Sequence, residues 1–165
     1  MSDVQGRNAL LTGAAGGMGR AITRALIESG RRVVIVDRDA EPLQAFATEM
    51  GDSTFAVQLD ITDAKNVDRL LDLIPDTFKP IDILINNAGH DIGGRTRFDI
   101  GSPDDWSNII ATNLIGLMRV TRSILPDMVK RNAGHIVNIS SINAVRIVPD
   151  MAAYWRAYVY RDAQG

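Results

Sequence analysis

Five short runs of apolar and β-branched residues punctuate the chain, at Ala9–Thr12, Arg32–Asp37, Thr54–Leu59, Ile81–Asn86 and His135–Ser140. Each is continuous rather than alternating, the pattern of a strand covered on both faces of a parallel sheet. Between the first four, apolar residues recur at three- and four-residue spacing, which predicts helices over Gly17–Ser29, Glu41–Met50 and Ala64–Ile74. In the first of these, Ala21, Leu26 and Ile27 form an apolar stripe with Ile22 beside them. The longest helical stretch runs from Pro103 to Arg131. Ser102 can cap it, Pro103 suits its first turn, and Asp104 and Asp105 complement the positive end of its dipole. Pro126 is expected to kink or interrupt it near its end, and Asn132-Ala133-Gly134 to stop it. Strand alternating with helix, without repeats or low-complexity linkers, predicts an α/β domain with a doubly wound parallel sheet and helices on both faces.

Composition narrows the class. At 165 residues the chain is long enough for one domain, spanning 1–165. Its 18 basic and 20 acidic side chains give a net charge of −2, so there is no broad basic field and no nucleic-acid partner is expected. The absence of cysteine excludes a disulfide framework, a thiolate metal site and a cysteine nucleophile, and no metal site is expected. No apolar run approaches the ~18 residues of a membrane span. The opening MSDVQGRNALLTG lacks the apolar core of a signal peptide. The expectation is a cytoplasmic protein.

The candidate chemistry begins between the first strand and the first helix. Thr12-Gly13-Ala14-Ala15-Gly16-Gly17-Met18-Gly19 holds Gly13, Gly17 and Gly19 as G-x-x-x-G-x-G, not the dinucleotide-binding G-x-G-x-x-G. The physics is shared: without side chains, backbone N–H groups and a helix N-terminus approach a pyrophosphate. A lone cluster of this kind is more often a flexible turn or a helix stop. Its place in the first βα unit points to phosphate binding. Asp37 closes the second strand, 24 residues after Gly13. A carboxylate there accepts hydrogen bonds from the hydroxyls of an adenosine ribose and repels a 2′-phosphate, which favours NAD over NADP. The alternatives are an ordinary aspartate starting a turn with Arg38 and Asp39, and an Arg38 that pairs with the phosphate.

With these residues in place, the chain resembles the short-chain dehydrogenase/reductase family, from about Gly6 to Tyr154. The glycine motif is similar to that family's. Asp60, in Leu59-Asp60-Ile61, matches the aspartate that holds the adenine ring. Asn86-Asn87-Ala88-Gly89 matches the N-N-A-G motif at the end of the fourth strand. Asn113 falls at the family's catalytic asparagine, and Ile136-Val137-Asn138-Ile139-Ser140-Ser141 is similar to the strand carrying its serine. Tyr154 follows Ser141 by 13 residues, the family's interval. The resemblance implies a Rossmann-like sheet and hydride transfer between a nicotinamide and a small carbonyl or alcohol substrate. Ser141 would donate a hydrogen bond to the substrate oxygen, stabilising charge that grows there. Tyr154 would exchange the proton with that oxygen, and Asn113 would hold a water in the proton relay. Gly13, Gly17, Met18, Gly19, Asp37, Asp60, Ile61, Asn87, Ala88 and Gly89 would bind the cofactor. Taken singly, Asn113 reads as a helical asparagine bonded to backbone, Ser141 as a turn cap and Tyr154 as core; in order, they form one set. His90, Asp91 and His135 match no role and read as surface or loop residues.

The pattern breaks after Tyr154. The family carries a lysine four residues later, where this chain has Tyr158 in Tyr154-Trp155-Arg156-Ala157-Tyr158. That lysine bonds the nicotinamide ribose and its charge assists ionisation of the phenol, which otherwise titrates near ~10. Arg156 points to another helix face. Tyr154–Tyr160 contains all three tyrosines and one of the two tryptophans, a divergent tail over 155–165. The chain stops at Gly165, before the family's last strands. The expectation is a truncated product of a reading-frame change, against a natural short variant. The fifth strand would then be an open edge, and Leu114, Ile115 and Met118 an uncovered stripe, which together predict a marginal, self-associating protein. Two functions follow: an oxidoreductase impaired as written, or a non-catalytic NAD-binding sensor or interaction module. The long helix makes a homo-oligomer an expectation in either case.

Overall fold

A computed structural model describes residues 7–92, 96–146, 150, 151, 153, 154 and 157. Trp155, Arg156, Tyr158 and Tyr160, and with them most of the expected divergent tail, lie outside the described residues.

The sheet has five strands in the order β3-β2-β1-β4-β5, all parallel. They are β1 (Asn8–Thr12), β2 (Arg32–Asp37), β3 (Thr54–Gln58), β4 (Ile81–Asn86) and β5 (His135–Asn138). Pleating sends alternate side chains to opposite faces. Leu10, Val34 and Val36 pack on one face with Leu70, Val120 and Ile124. Ala9, Leu11, Val33 and Ile35 pack on the other with Leu43 and Phe46. Burial on both faces is why β1 and β2 read as unbroken apolar runs.

The helices are α1 (Gly17–Glu28), α2 (Ala40–Met50), α3 (Ala64–Asp68), α4 (Leu70–Leu73), α5 (Pro103–Ile110) and α6 (Leu117–Arg131). None among the described residues is long and apolar enough to cross a membrane. The expected helix over Ala64–Ile74 is two pieces. Asp63 caps the first through the N–H groups of Lys65 and Asn66, and a tightened turn at Arg69, N–H to Asn66 O, separates them while Val67 and Leu70 both stay buried.

The long helical stretch departs from expectation in a more consequential way. Ser102 caps it as predicted, accepting from Asp105 N–H, and Asn132 ends it in the left-handed conformation at φ 50°. Pro126 does not interrupt it: α6 runs through to Arg131. Pro126 and Arg122 are both exposed, so water can satisfy the carbonyl that proline leaves unbonded. The irregularity lies earlier, at Ala111–Gly116, where the turn widens to a π-helical one. Such turns re-aim side chains and cluster at functional positions. Here the turn contains Asn113. β5 is shorter than expected, ending at Asn138, although Ile139 N–H still reaches Asn86 O.

Candidate functional site

The C-terminal ends of β1, β2 and β4 open into a cleft of about 430 Å³. β1 lies between β2 and β4, so the crossovers diverge at this point, which is where open α/β sheets take ligands. The cleft brings together Gly13, Gly17, Met18, Gly19, Asp37, Asp60, Ile61, Asn87, Ala88 and Gly89, along with Arg38, His90 and Thr112.

Two glycines shape its floor by close approach. Gly13 has φ +68°, and a Cβ there would sit 2.8 Å from Ala88 Cα. A Cβ on Gly19 would meet Gly13 O and lie 2.7 Å from Ala14 Cα. Gly17 differs: apart from its chain neighbours and the backbone of its own helix, nothing among the described residues lies within 4 Å of its would-be Cβ. Packing does not require a glycine at this position, whereas a ligand lying against the first turn of α1 would. Gly16 precedes that turn without a side-chain cap, leaving backbone N–H groups for such a ligand.

Thr12 and Asn87 tie the glycine turn to the end of β4. Thr12 Oγ1 accepts from the N–H groups of Asn87 and Ala88, both at 3.1 Å. Asn87 Nδ2 donates to Thr12 O at 3.0 Å and Gly13 O at 3.1 Å. Its Oδ1 is buried with no hydrogen-bond partner among the described residues, an acceptor that a ligand hydroxyl would satisfy. On the β2 side, Asp37 Oδ2 accepts from Ala15 N–H at 2.9 Å and Oδ1 from Asp39 N–H at 3.3 Å. Asp60 Oδ1 accepts from Thr62 N–H and Oγ1, both at 2.8 Å, holding the turn after β3.

Asn113, Ser141 and Tyr154 do not line this cleft. Asn113 is fully buried in the π-helical turn and is gripped by one backbone residue: Oδ1 accepts from His90 N–H at 2.9 Å, and Nδ2 donates to His90 O at 2.8 Å. Ser141 Oγ accepts from Asn143 N–H at 3.2 Å, capping the turn Ile142–Ala144. Neighbouring Ser140 Oγ is buried without a hydrogen-bond partner among the described residues. Tyr154 is half-buried in a helical segment.

His90 lies in the loop after β4, as read from the sequence, but it does more than line the surface. Its ring is partly buried in the cleft wall, with Nε2 3.2 Å from Thr112 Oγ1 and Nδ1 accepting from Ile92 N–H at 3.3 Å. That pattern fixes the neutral tautomer with the proton on Nε2. Burial holds its pKa below the ordinary histidine value, the positive Arg38 lowers it further and Asp91 opposes both. The signal was available only in part: His90 directly follows the N-N-A-G motif, but its reach to Thr112 spans 22 residues and depends on the π turn. Among the described residues no group of acidic, histidine or cysteine side chains is placed to hold a metal.

Comparison with known proteins agrees with this geometry. The family model for short chain dehydrogenase matches residues 7–157. NADP-dependent 3-hydroxy acid dehydrogenase YdfG of Shigella flexneri is 42% identical over 132 residues, covering 80% of this chain and 53% of that protein. The crystal structure of serine dehydrogenase from Escherichia coli superposes with a TM-score of 0.88 at 37% identity, over 92% of this chain and 70% of that one. NAD+-bound xylitol dehydrogenase gives 0.92 at 28% identity, over 98% and 63%. The chain spans about half the length of the first curated relatives it matches.

Proposed function

The chain belongs to the short-chain dehydrogenase family, and from that premise and the cleft we propose an NAD(P)-dependent oxidoreductase acting on a small carbonyl or alcohol. The observation that carries this is the glycine turn. It is closed against β4 at Gly13 and packed against itself at Gly19, but open at Gly17, where a pyrophosphate lying on the N-terminus of α1 needs room. Asn87 Oδ1 and the backbone of Ala88 and Gly89 would meet a ribose, Asp60 and Ile61 the adenine ring. The bound dinucleotide supplies a hydride acceptor or donor. An Oγ that accepts from Asn143 N–H keeps its own proton, so Ser141 would donate to the substrate oxygen as charge grows on it. Tyr154 would exchange a proton with that oxygen. Asn113, locked by His90, would give the relay a fixed anchor. Position 158 is tyrosine where the family resemblance calls for the lysine that bonds the nicotinamide ribose, and turnover is expected to be slow. The relatives named above are dehydrogenases, which lends nothing to the non-catalytic module.

For cofactor choice we propose NAD over NADP. Asp37 stands in the cleft wall with its carboxylate held by two backbone N–H groups, and its charge opposes a 2′-phosphate. The NADP dependence in the name of YdfG points the other way for that protein. Exposed Ile115, Met118, Leu125 and Val129 fall at helical spacing on the long helical stretch, and we read that stripe as a contact between copies, checked by size-exclusion chromatography.

Titration calorimetry of the 165-residue chain with NAD and NADP tests the binding. Absorbance of the reduced nicotinamide across a panel of ketones and alcohols tests the chemistry. Binding of NAD with slow turnover is expected. Failure to bind either dinucleotide would overturn the reading, and tighter binding of NADP would overturn the role of Asp37.

A further inference from the structure

We propose that Arg20, which stands outside the cleft lining, is a positioning residue for cofactor choice: its guanidinium fixes the Ala15 backbone that in turn holds Asp37. The inference rests on Asp37 facing the adenosine ribose, as proposed above.

Arg20 lies in the first turns of α1, where side chains lean back toward the helix N-terminus. Its Nε–H donates to Ala15 O at 2.9 Å and its Nη2 to Pro42 O at 3.1 Å. The same Ala15 gives its N–H to Asp37 Oδ2 at 2.9 Å. Ala15 is therefore held at both of its backbone polar groups, by a cation on the carbonyl side and by the selecting carboxylate on the amide side. Pro42 belongs to the first turns of α2 and also lines the cleft. One guanidinium thus sets the glycine turn and the α2 wall on either side of Asp37.

The position of that guanidinium is itself determined. Its carbon sits 4.7 Å from the centroid of the fully buried Phe46 ring, a cation–π contact that fixes the plane of the fork. Glu49 is taken mainly by Arg24, at 2.6 Å, and lies 4.0 Å from Arg20. The close partners of Arg20 are two backbone carbonyls, so its work is to hold chain segments rather than to neutralise a carboxylate. Two carbonyls on separate elements need a rigid fork. A lysine ammonium is a single point on a flexible stem and cannot reproduce that geometry.

The test is a set of calorimetric dissociation constants for NAD and NADP with wild type, Arg20→Ala, Arg20→Lys and Asp37→Asn, alongside thermal unfolding of each. The wild type is expected to prefer NAD by about tenfold or more, because like charges in a cleft are a strong discriminator. Arg20→Ala should compress that preference to within about threefold, and Arg20→Lys should fall between, since preorganisation is lost while the charge at Asp37 remains. Should Arg20→Ala fail to fold, Arg20→Lys carries the comparison. The Ala15 amide resonance provides a readout free of ligand, expected to move in Arg20→Lys as its bond to Asp37 loosens. A merely structural arginine would lower the melting temperature and leave the NAD-to-NADP ratio at its wild-type value, and that result overturns the inference. A preference abolished by Asp37→Asn but retained in both Arg20 variants sinks the role of Arg20 alone. A wild type without preference for NAD removes the role of Asp37 and this inference with it.

Discussion

β1 is buried along all five of its residues, whereas β5, two strands away, is exposed along three of its four. β1 has partners on both edges and helices on both faces. β5 pairs with β4 alone among the described residues, and its Ile136 and Val137 are 36% and 44% exposed. The cleft on the β1 side is cross-linked by hydrogen bonds that Asn87 and Arg20 donate and that Thr12 and Asp37 accept. On the β5 side, Ser141 caps a single local turn. The difference teaches that the cleft is set by contacts among the ends of neighbouring strands. Around Ser141 the hydrogen bonds among the described residues are local, from Asn143 N–H to its Oγ and from Ala144 N–H to its carbonyl.

The sharpest way to break the comparison is at the glycine turn. Gly19→Val drives a side chain into Gly13 O and Ala14, all backbone, where no flexible neighbour can yield. A cost above about 4 kcal/mol is expected, enough to abolish cooperative unfolding in most small domains. Gly17→Ala meets nothing, and alanine is the better helix former, so its melting temperature should equal or exceed that of the wild type while NAD affinity falls. Equal losses of stability in the two variants would show that the turn is not packed as described.

Leu10→Ala and Ile136→Ala compare the two strands directly. Leu10 is fully buried, and its truncation should cost about 2–5 kcal/mol. The exposed Ile136 should cost less than about 1 kcal/mol. Denaturant unfolding measures both. If Ile136→Ala proves as costly as Leu10→Ala, β5 is covered in solution and the contrast between the strands fails.

A third substitution sits between the two regions. Asn113→Ala removes both bonds to the His90 backbone in a fully buried site and strands a donor and an acceptor. The expected destabilisation is about 1–3 kcal/mol. Hydrogen exchange should show faster opening at the His90 amide, and an unchanged rate there would mean the clasp is not formed.

These sites differ in how far they could be read from sequence, and the reason is range. The central strands β1 and β2 were legible because two-sided burial leaves a continuous apolar run. The ten residues expected to bind a cofactor fall together in the cleft, and they were legible because glycine spacing, Asp37 and the N-N-A-G motif each act within a few residues of a strand end. The π turn at Ala111–Gly116 was not, since Pro126 is the visible helix breaker and nothing local marks Asn113 as buried. Its cause is tertiary: the Asn113 amide is matched to His90 backbone 23 residues away. Arg20 was invisible for the same reason, its carbonyl partners lying 5 and 22 residues off.

The smallest effect is a pH dependence carried by His90, whose ring links the end of β4 to the residue before Asn113. Its folded-state pKa is lowered, chiefly by burial and then by Arg38, with Asp91 opposing. The unfolded chain therefore takes up the proton first, at about 6.5, and stability rises with pH wherever the unfolded state holds more protons. The contribution is fully present above that value, declines as pH falls toward the folded pKa, and is constant below it. Protonation also denies Nδ1 to Ile92 N–H, so the loss includes one hydrogen bond. Between about pH 7.5 and 5.5, above the range where most carboxylates titrate, the wild type should lose more stability than His90→Gln. The glutamine keeps a donor for Thr112 but has no proton to take up. Denaturant midpoints measured across that window decide it. Parallel curves for the two proteins would mean that His90 is as open to water in the folded state as in the unfolded one, and that the wall joining β4 to the π turn is looser than the bonds to Thr112 and Ile92 describe.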